Sequence, residues 1–408
     1  MARPLHSTAA RADRAYLVAA DLHGALLPAD QSVQELAELA VTAGAEVVGR
    51  TTQKLDMPHV ATYVGKGKVD QIVEQSRELD ANVVIFDDEL SPSQQRNLEK
   101  ALGRKVIDRT ALILDIFATR AHTREGRLQV ALAQMQYLLP RLAGQWSHLE
   151  RMEGAIGTRG PGETQIETDR RLINSRISRI KKDLKEVSTQ RALYRRNRVR
   201  NGVPVVALVG YTNAGKSTLM NALARSSVLA EDKLFATLDP VTRRLRLPTG
   251  EVVLLTDTVG FIQKLPTDLV AAFRATLEEL EEADLLLHVV DIAHPNSYEH
   301  SETVEKTLTE LGVAAKPTLL VLNKCDQLAG EDGALPTSYE EARSALASAG
   351  VPPPNVVLVS ATKRWGLDVL LRRISTGLDG DLAGEGASQT GTELLGRPPA
   401  VAEPASAG

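Results

Sequence analysis

Apolar positions follow two different periodicities along the first 120 residues. Short apolar runs at Ala15–Ala20 and Asn82–Phe86 are typical of buried strands. Between them, Gln31–Ala43 carries apolar residues at helical spacing, and Ser91 before a proline gives the start signal of another helix. Repeated strand–helix units predict a parallel sheet, so residues 14–124 are expected to form an N-terminal α/β domain.

Residues 125–200 lack strand signals. Leu128–Leu142 is amphipathic, the polar stretch Glu153–Glu163 is rich in glycine, and a charged helix is predicted over Thr168–Arg200. Apolar residues form a narrow seam in that second helix at steps of three and four: Leu172, Ile173, Ile177, Ile180, Leu184 and Val187. The pattern predicts a helical hairpin or coiled coil with a glycine-rich tip.

Strand and helix signals alternate again over residues 203–377, which predicts a doubly wound α/β domain. The predicted strands are Val203–Val209, Val252–Thr256, Leu285–Val290, Thr318–Leu322 and Asn355–Val359. After Leu378 the chain turns to Gly, Ala, Pro and Ser, so residues 378–408 are expected to be a disordered tail.

Composition narrows the class of protein. The chain has 408 residues, 43% hydrophobic and 25% charged, with a net charge of −4, which indicates two or three globular domains. A single cysteine, Cys325, excludes a disulfide scaffold and a cysteine-based zinc site, and a reduced, cytoplasmic setting is expected. No apolar run is long enough to span a membrane, and we expect a monomer.

A phosphate-binding motif follows the apolar strand that ends near Val209. The pattern G-x-x-x-x-G-K-[ST] is matched by Gly210, Tyr211, Thr212, Asn213, Ala214, Gly215, Lys216 and Ser217. Glycines let backbone N–H groups approach phosphates, Lys216 is expected between the β- and γ-phosphates, and the Ser217 hydroxyl is a candidate Mg²⁺ ligand.

Three further motifs follow strands in chain order. The first is Asp257, Thr258, Val259 and Gly260; the second is Asn323, Lys324, Cys325 and Asp326; the third is Ser360, Ala361 and Thr362. Asp257 can hold Mg²⁺ through water, and Gly260 can offer its N–H to a γ-phosphate. Asp326 can accept hydrogen bonds from guanine N1–H and the 2-amino group, which adenine lacks, and the Ala361 N–H can reach guanine O6.

These motifs resemble the translation-factor-like class of P-loop GTPases, which implies GTP or GDP bound at the carboxyl ends of the strands. In that class a mobile loop supplies a threonine to Mg²⁺. The candidate loop here is Phe235, Ala236, Thr237, Leu238 and Asp239, with Thr237 as the ligand and Thr242 as its alternative. The expected catalytic residues are Asn213, Lys216, Thr237 and Gly260.

One departure concerns the residue after Gly260. Ras-like proteins have a water-orienting glutamine there, but this chain has Phe261, so slow intrinsic hydrolysis is expected. Asn213 resembles the asparagine of potassium-activated GTPases, in which K⁺ replaces an arginine finger. Stabilisation of the loop's turn is an equally good interpretation of Asn213.

The charged helix is strongly basic. Residues 168–200 contain 12 Lys or Arg and three acidic residues, a net charge of +9 within a chain of −4. A solvated helix face does not need that much charge, so contact with an RNA backbone is predicted. The expected RNA contacts are Arg176, Arg179 and Lys182, together with Arg159 at the glycine-rich tip.

Several runs together resemble the HflX family of ribosome-associated GTPases. They are Tyr63–Lys68, Arg159–Asp169, Gly210–Ser217, Phe235–Pro240 and Asp257–Ile262. The resemblance implies a GTPase that binds the large ribosomal subunit and dissociates stalled or idle 70S ribosomes under stress. Two alternatives stay open: a GTPase associated with RNA modification, and a nucleotide-gated RNA-binding scaffold.

Overall fold

A computed structural model describes residues 12–22, 27–142, 161–200, 202–224, 234–264, 279–329, 333–348 and 356–380. The chain divides into two compact units. The first comprises Met1–Thr119 and Val130–Asp183, and the second comprises Arg120–Gln129 and Leu184–Gly408. Within the described residues, no helix is long and apolar enough to cross a membrane.

The first unit contains a parallel sheet of four strands in the order β2-β1-β3-β4. Its strands are β1 (Arg14–Leu22), β2 (Glu46–Leu55), β3 (Val83–Phe86) and β4 (Lys105–Asp108), and its strand-connecting helices are α1 (Ala29–Thr42), α2 (Lys66–Glu78) and α3 (Pro92–Leu102), with α4 (Arg109–Arg120) after β4. The predicted start of α3 is confirmed, because Ser91 and Gln94 form a capping box and Pro92 occupies the first turn.

Two helices follow, α5 (Arg124–Leu138) and α6 (Pro161–Arg200). Ile177 and Ile180 of the predicted α6 seam are buried, whereas Leu172 is 62% exposed. The predicted glycine-rich tip, Glu153–Glu163, ends earlier than expected, because Pro161–Glu163 already belong to α6. Proline is well suited to a first helical turn. The rest of the tip, including Arg159, lies outside the described residues.

The second unit contains a sheet of six strands in the order β10-β9-β8-β5-β7-β6. The strands are β5 (Val205–Gly210), β6 (Val241–Arg246), β7 (Val252–Asp257), β8 (Leu285–Asp291), β9 (Thr318–Asn323) and β10 (Val356–Leu358), and the helices are α7 (Lys216–Ala224), α8 (Ser297–Glu310), α9 (Tyr339–Ser348) and α10 (Leu367–Leu378), with a 3₁₀ turn at Cys325–Gln327. Only β6 is antiparallel to its neighbour among these strands.

The topology of the second sheet determines where a ligand can bind. β5 is buried throughout and lies between β7 and β8. After β5 the chain forms β6 and β7 on one side of it and then crosses to form β8 on the other side. The carboxyl end of such a strand is a topological switch point, where open α/β sheets bind ligands. The α/β fold class expected from the sequence is therefore confirmed. The part of the expected tail beyond residue 380 lies outside the described residues.

Candidate nucleotide-binding site

The loop after β5 requires glycine at two positions. At Gly210, φ is 154° and a Cβ atom would lie 2.2 Å from the Val289 carbonyl oxygen, so only glycine allows β5 and β8 to approach this closely. Gly215 has φ of 90° and a Cβ there would meet the Asn323 side chain at 2.3 Å. Between them, Asn213 adopts a left-handed φ of 60°, which asparagine tolerates better than most residues.

Lys216, the first residue of α7, folds back over this loop. Its Nζ donates to the carbonyl oxygens of Gly210 at 3.0 Å and Tyr211 at 2.8 Å. Burial lowers the pKa of Lys216 to about 8, although the charge of Asp257 opposes the change. A cavity above the loop is lined by Thr212, Asn213, Gly215, Lys216, Ser217, Thr218, Phe235, Ala236, Thr237, Thr258 and Gly260.

Two hydroxyls and a carboxylate converge at the edge of this cavity. Ser217 Oγ donates to Asp257 Oδ2 at 2.6 Å, Thr237 Oγ1 does so at 3.0 Å, and the two hydroxyls are 2.7 Å apart. Burial raises the pKa of Asp257, against the influence of Lys216 and of these hydrogen bonds. Asp257 Oδ1 is buried and has no hydrogen-bond partner among the described residues. Hydroxyl and carboxylate oxygens with spare acceptor capacity suit Mg²⁺ and its waters.

The segment after Asp257 is bound to the phosphate loop through the backbone. Phe261 N donates to Gly210 O at 3.1 Å, and Thr212 N donates to Phe261 O at 2.7 Å. Phe261 is 3% exposed and is absent from the cavity lining. A Cβ at Gly260 would lie 2.7 Å from Thr212 Cα, so glycine is needed for this approach. Val259 is not among the residues that line the cavity.

The two threonine candidates are separated by the fold. Thr237 lies beside Ser217, as described above, whereas Thr242 is on β6 and its hydroxyl bonds to that of Thr256 at 3.0 Å. Phe235 N donates to the Thr212 hydroxyl at 2.9 Å, which ties the Thr237 segment to the phosphate loop. Leu238 is buried, and Asp239 directs its carboxylate to His122 and Thr123, outside the cavity lining.

Asn323 connects the phosphate loop to a second loop. Its Nδ2 donates to Ala214 O at 2.9 Å, and its Oδ1 accepts from Ala361 N at 3.1 Å. The next residue, Lys324, adopts φ of 62° and forms an ion pair with Asp291 at 2.8 Å. These contacts bring together three motifs that are distant in the chain: Asn323 lies 109 residues after Ala214 and 38 residues before Ala361.

Asp326 follows in the same loop as Asn323 and Lys324 and carries a carboxylate. Its Oδ1 is buried and has no hydrogen-bond partner among the described residues. The neighbouring Cys325 is buried, and its N–H donates to Val359 O, which fixes the turn. Ser360 Oγ accepts from Lys363 N at 3.1 Å and lies 3.2 Å from the Thr362 hydroxyl, so the last motif is a closed turn. A buried acceptor without a donor suits the N1–H and amino group of guanine.

The sequence did not reveal an aromatic stack beneath the phosphate loop. The rings of Tyr211 and His300 are parallel within 3°, with centroids 3.7 Å apart, and His294 lies 4.5 Å from His300. Tyr211 Oη also accepts from Gln263 N at 3.0 Å. Burial, and then the nearby His294, lower the pKa of His300 to about 3, so the stacked imidazole is neutral. His300 belongs to α8 and has no sequence motif that could have located it.

These features define a P-loop GTPase. The phosphate loop follows the central strand, and its lysine is buried beside converging hydroxyls. The N-K-C-D loop adds a carboxylate oxygen without a partner among the described residues. Three family models match successive segments of the chain: "GTP-binding GTPase N-terminal" over residues 30–118, "GTP-binding GTPase Middle Region" over 120–198, and "50S ribosome-binding GTPase" over 205–324.

Relatives identify the family. The chain is 58% identical over 298 residues to GTPase HflX of Alkalihalophilus pseudofirmus, covering 73% of this chain and 70% of the relative. It is 46% identical over 353 residues to GTPase HflX of Escherichia coli, covering 86% and 80%. The chain therefore belongs to the HflX family, and it is a GTP hydrolase. A GTP-binding protein of Sulfolobus solfataricus solved with GDP covers 90% of this chain and 99% of its own, with 23% identity and a TM-score of 0.44.

Proposed function

We propose that this GTPase is a cytoplasmic protein that binds the large ribosomal subunit in its GTP-bound state and separates stalled or idle 70S ribosomes under stress. The match of residues 205–324 to a family described as "50S ribosome-binding GTPase" supports the partner. The exposed basic face of α6 is the single structural observation that carries the proposal, because it supplies the charge that rRNA binding requires.

The basic face comprises Arg176, Arg179 and Lys182, whose side chains are all exposed. Steps of three residues place them on successive turns along one side of α6. Ile177 and Ile180 are buried on the same helix. Such a row can follow a phosphate backbone and release its counterions, which gives salt-dependent affinity.

For the nucleotide, we assign the phosphates to the Gly210–Ser217 loop and Lys216, and the guanine to Asp326, with Lys324 covering the ring and Ala361 reaching O6. Mg²⁺ fits the oxygens of Ser217 and Thr237, with Asp257 acting through water; when bound, the ion neutralises phosphate charge. Asn213 has two interpretations in this proposal: it helps to bind K⁺, or it stabilises the turn of the loop.

In this proposal the γ-phosphate orders two segments of the chain. Thr237 and the backbone N–H of Gly260 are held toward the phosphate side of the cavity, and loss of the γ-phosphate releases them. The nucleotide state then governs ribosome binding. Phe261 cannot orient water, so we infer that the ribosome completes the hydrolytic site.

Co-sedimentation tests the partner. The triple variant Arg176→Glu, Arg179→Glu, Lys182→Glu should lose ribosome binding while retaining GTP binding. The matched control reverses three exposed basic residues on other helices, Lys306, Arg343 and Arg373, and should bind as the unchanged protein does. Normal pelleting of the α6 variant would contradict an RNA-binding role for this face.

Light scattering of 70S particles tests the activity. GTP should support dissociation, GDP should not, and a non-hydrolysable GTP analogue should support a single round without turnover. Binding to rRNA without any dissociation would instead favour a GTPase associated with RNA modification. Full repeated activity with the analogue would favour a nucleotide-gated scaffold.

A further inference from the structure

Asp239 lies two residues after Thr237, and its carboxylate is bound to a segment far away in the chain. One oxygen accepts the backbone N–H groups of His122 at 2.7 Å and Thr123 at 2.8 Å, and the other accepts the Thr123 hydroxyl. Thr123 is the residue before α5, and its hydroxyl accepts from Gly126 N at 2.9 Å. The Thr123 hydroxyl therefore caps the first turn of α5 through Gly126 N. Asp239 fixes His122 and Thr123 immediately before the helix, where a negative charge is also favoured by the helix dipole.

Gly126 permits this contact. A Cβ atom at this position would lie 2.2 Å from Asp239 Oδ1 and 3.1 Å from the Thr123 hydroxyl. A side chain on α5 here would displace the carboxylate. The contact thus depends on two residues: the carboxylate of Asp239 and the absence of a side chain at Gly126.

Thr237 is consequently held between two anchors. On one side, Phe235 N is bound to the Thr212 hydroxyl at 2.9 Å, and the Phe235 ring is buried. On the other side, Asp239 is bound to the start of α5. Thr237 itself meets Ser217 at 2.7 Å. Fixing residues on both sides of a ligating side chain reduces the entropy that must be lost when that side chain binds.

We propose that Asp239 is a positioning residue for GTP: by binding His122 and Thr123 at the N-terminal end of α5, it holds Thr237 where the Mg²⁺ and γ-phosphate side of GTP requires it. This inference rests on the proposed role of Thr237. The coupling works in both directions, because whatever GTP gains from an ordered Thr237 segment also stabilises the contact between Asp239 and α5. GDP makes no contact that needs Thr237, so GDP affinity is independent of Asp239.

Nucleotide affinity in the full-length protein tests the proposal. Asp239→Asn should weaken binding of a non-hydrolysable GTP analogue by about 5- to 10-fold, the scale of one lost charge-assisted cap, with GDP affinity unchanged. Gly126→Ala should give the same selective loss, and Thr123→Ser, which keeps the hydroxyl, should not. Asp284→Asn is the matched control, because Asp284 also accepts a backbone N–H, from Val205 at 2.8 Å.

A double-mutant cycle separates this inference from the proposed function. If Asp239 acts through Thr237, Asp239→Asn should have no further effect on the ratio of GTP-analogue to GDP affinity once Thr237 is changed to Ala. An unchanged GTP affinity in Thr237→Ala alone would overturn the role of Thr237. Selective loss in Thr237→Ala but equal GTP and GDP affinities in Asp239→Asn would overturn the role of Asp239 alone.

Hydrogen exchange supplies a readout that a purely structural role would not change. The amide hydrogens of His122 and Thr123 should exchange more slowly with the GTP analogue than with GDP, because ordering of the Thr237 segment strengthens their bonds to Asp239. Asp239→Asn should abolish this difference between nucleotides. Equal exchange with both nucleotides in the unchanged protein would overturn the coupling.

Discussion

The Asn323 side chain passes over Gly215 so closely that a single methyl group on Gly215 would lie 2.3 Å from Asn323 Nδ2. That nitrogen donates to the carbonyl oxygen of Ala214 at 2.9 Å. The same side chain accepts from Ala361 N at 3.1 Å. The absence of a side chain at residue 215 thus allows one amide to hold the loops after β5 and β10 together.

Gly215→Ala should therefore disrupt nucleotide binding. The new methyl would displace Asn323 and would also occupy a strained left-handed φ of 90°. We expect GDP and GTP affinity to fall by at least about tenfold, the cost of an orphaned buried hydrogen-bond group, measured by calorimetric titration.

Gly250→Ala is the matched control, since its φ is 93° but its Cβ would lie in open space. It should lose stability from backbone strain, by about 1 kcal/mol, and keep its nucleotide affinity. Equal loss of affinity in both variants would show that strain, and not the displacement of Asn323, is responsible.

Asp326→Asn should exchange guanine for xanthine specificity. The amide has one acceptor oxygen and one NH2 donor, so it cannot accept from both the guanine N1–H and the amino group, and GTP affinity should fall by about 1–3 kcal/mol. Xanthosine triphosphate has an oxygen in place of the amino group, can accept from that NH2 and should bind better. Competition against a fluorescent nucleotide measures both. Asp368→Asn, on the exposed surface of α10, should change neither affinity. Unchanged GTP affinity in Asp326→Asn would remove this residue from the base pocket.

Local patterns predicted most of the strands of the second unit. The predicted strands at Val252, Leu285 and Thr318 begin at the residues where β7, β8 and β9 begin in the structure. β6 was not predicted, because this edge strand carries three arginines among six residues and only Leu245 is buried. An antiparallel edge strand needs apolar residues on one face only, and so it lacks the continuous apolar run of a buried parallel strand.

Four motifs of the site could be located from local patterns too, since each is a short run at the end of a strand: Gly210–Ser217, Asp257–Gly260, Asn323–Asp326 and Ser360–Thr362. The contacts between them could not. Asn323 and Ala214 are 109 residues apart, and Thr123 and Asp239 are 116 apart. Such pairs form only when the sheet brings strand ends together, and no local signal in one sequence specifies the partner. The stack of His300 on Tyr211 was missed on the same grounds.

Intrinsic GTP hydrolysis should be slow and should increase on addition of the large ribosomal subunit. Phe261 has no polar side-chain atom, and its backbone N–H is already bound to Gly210 O at 3.1 Å. We therefore expect a group supplied by another molecule to orient the attacking water. Phosphate release measured with and without 50S subunits checks this. Rapid turnover by the isolated protein that ribosomes do not increase would contradict it.

Replacement of K⁺ by Na⁺ tests the two interpretations of Asn213. If Asn213 helps to bind K⁺, hydrolysis should fall in Na⁺, and Asn213→Gly should remove the dependence on the cation. If Asn213 only stabilises its left-handed turn, with φ of 60°, Asn213→Gly should preserve the turn, and both cations should support equal rates.

His288 should make the second unit less stable in mild acid. This histidine lies in β8, 2% exposed, and its Nε2 has no partner among the described residues. Burial, with a contribution from Lys216, lowers its pKa from 6.5 to about 4 in the folded protein. The unfolded chain therefore takes up a proton between these two pH values and the folded protein does not, so stability falls as the pH drops below 6.5 and levels off near 4.

From pH 7 to pH 5, this one group should lower the free energy of unfolding by about 2 kcal/mol. Urea unfolding at both pH values measures this free energy. Trp365 fluorescence in a Trp146→Phe background follows the unfolding. His288→Leu cannot take up the proton in either state, so its loss of stability over this interval should be smaller by that amount. His59→Gln changes an exposed histidine of the first unit and should leave the interval unchanged. Equal losses in the His288→Leu and unchanged proteins would show that His288 is protonated alike in the folded and unfolded states.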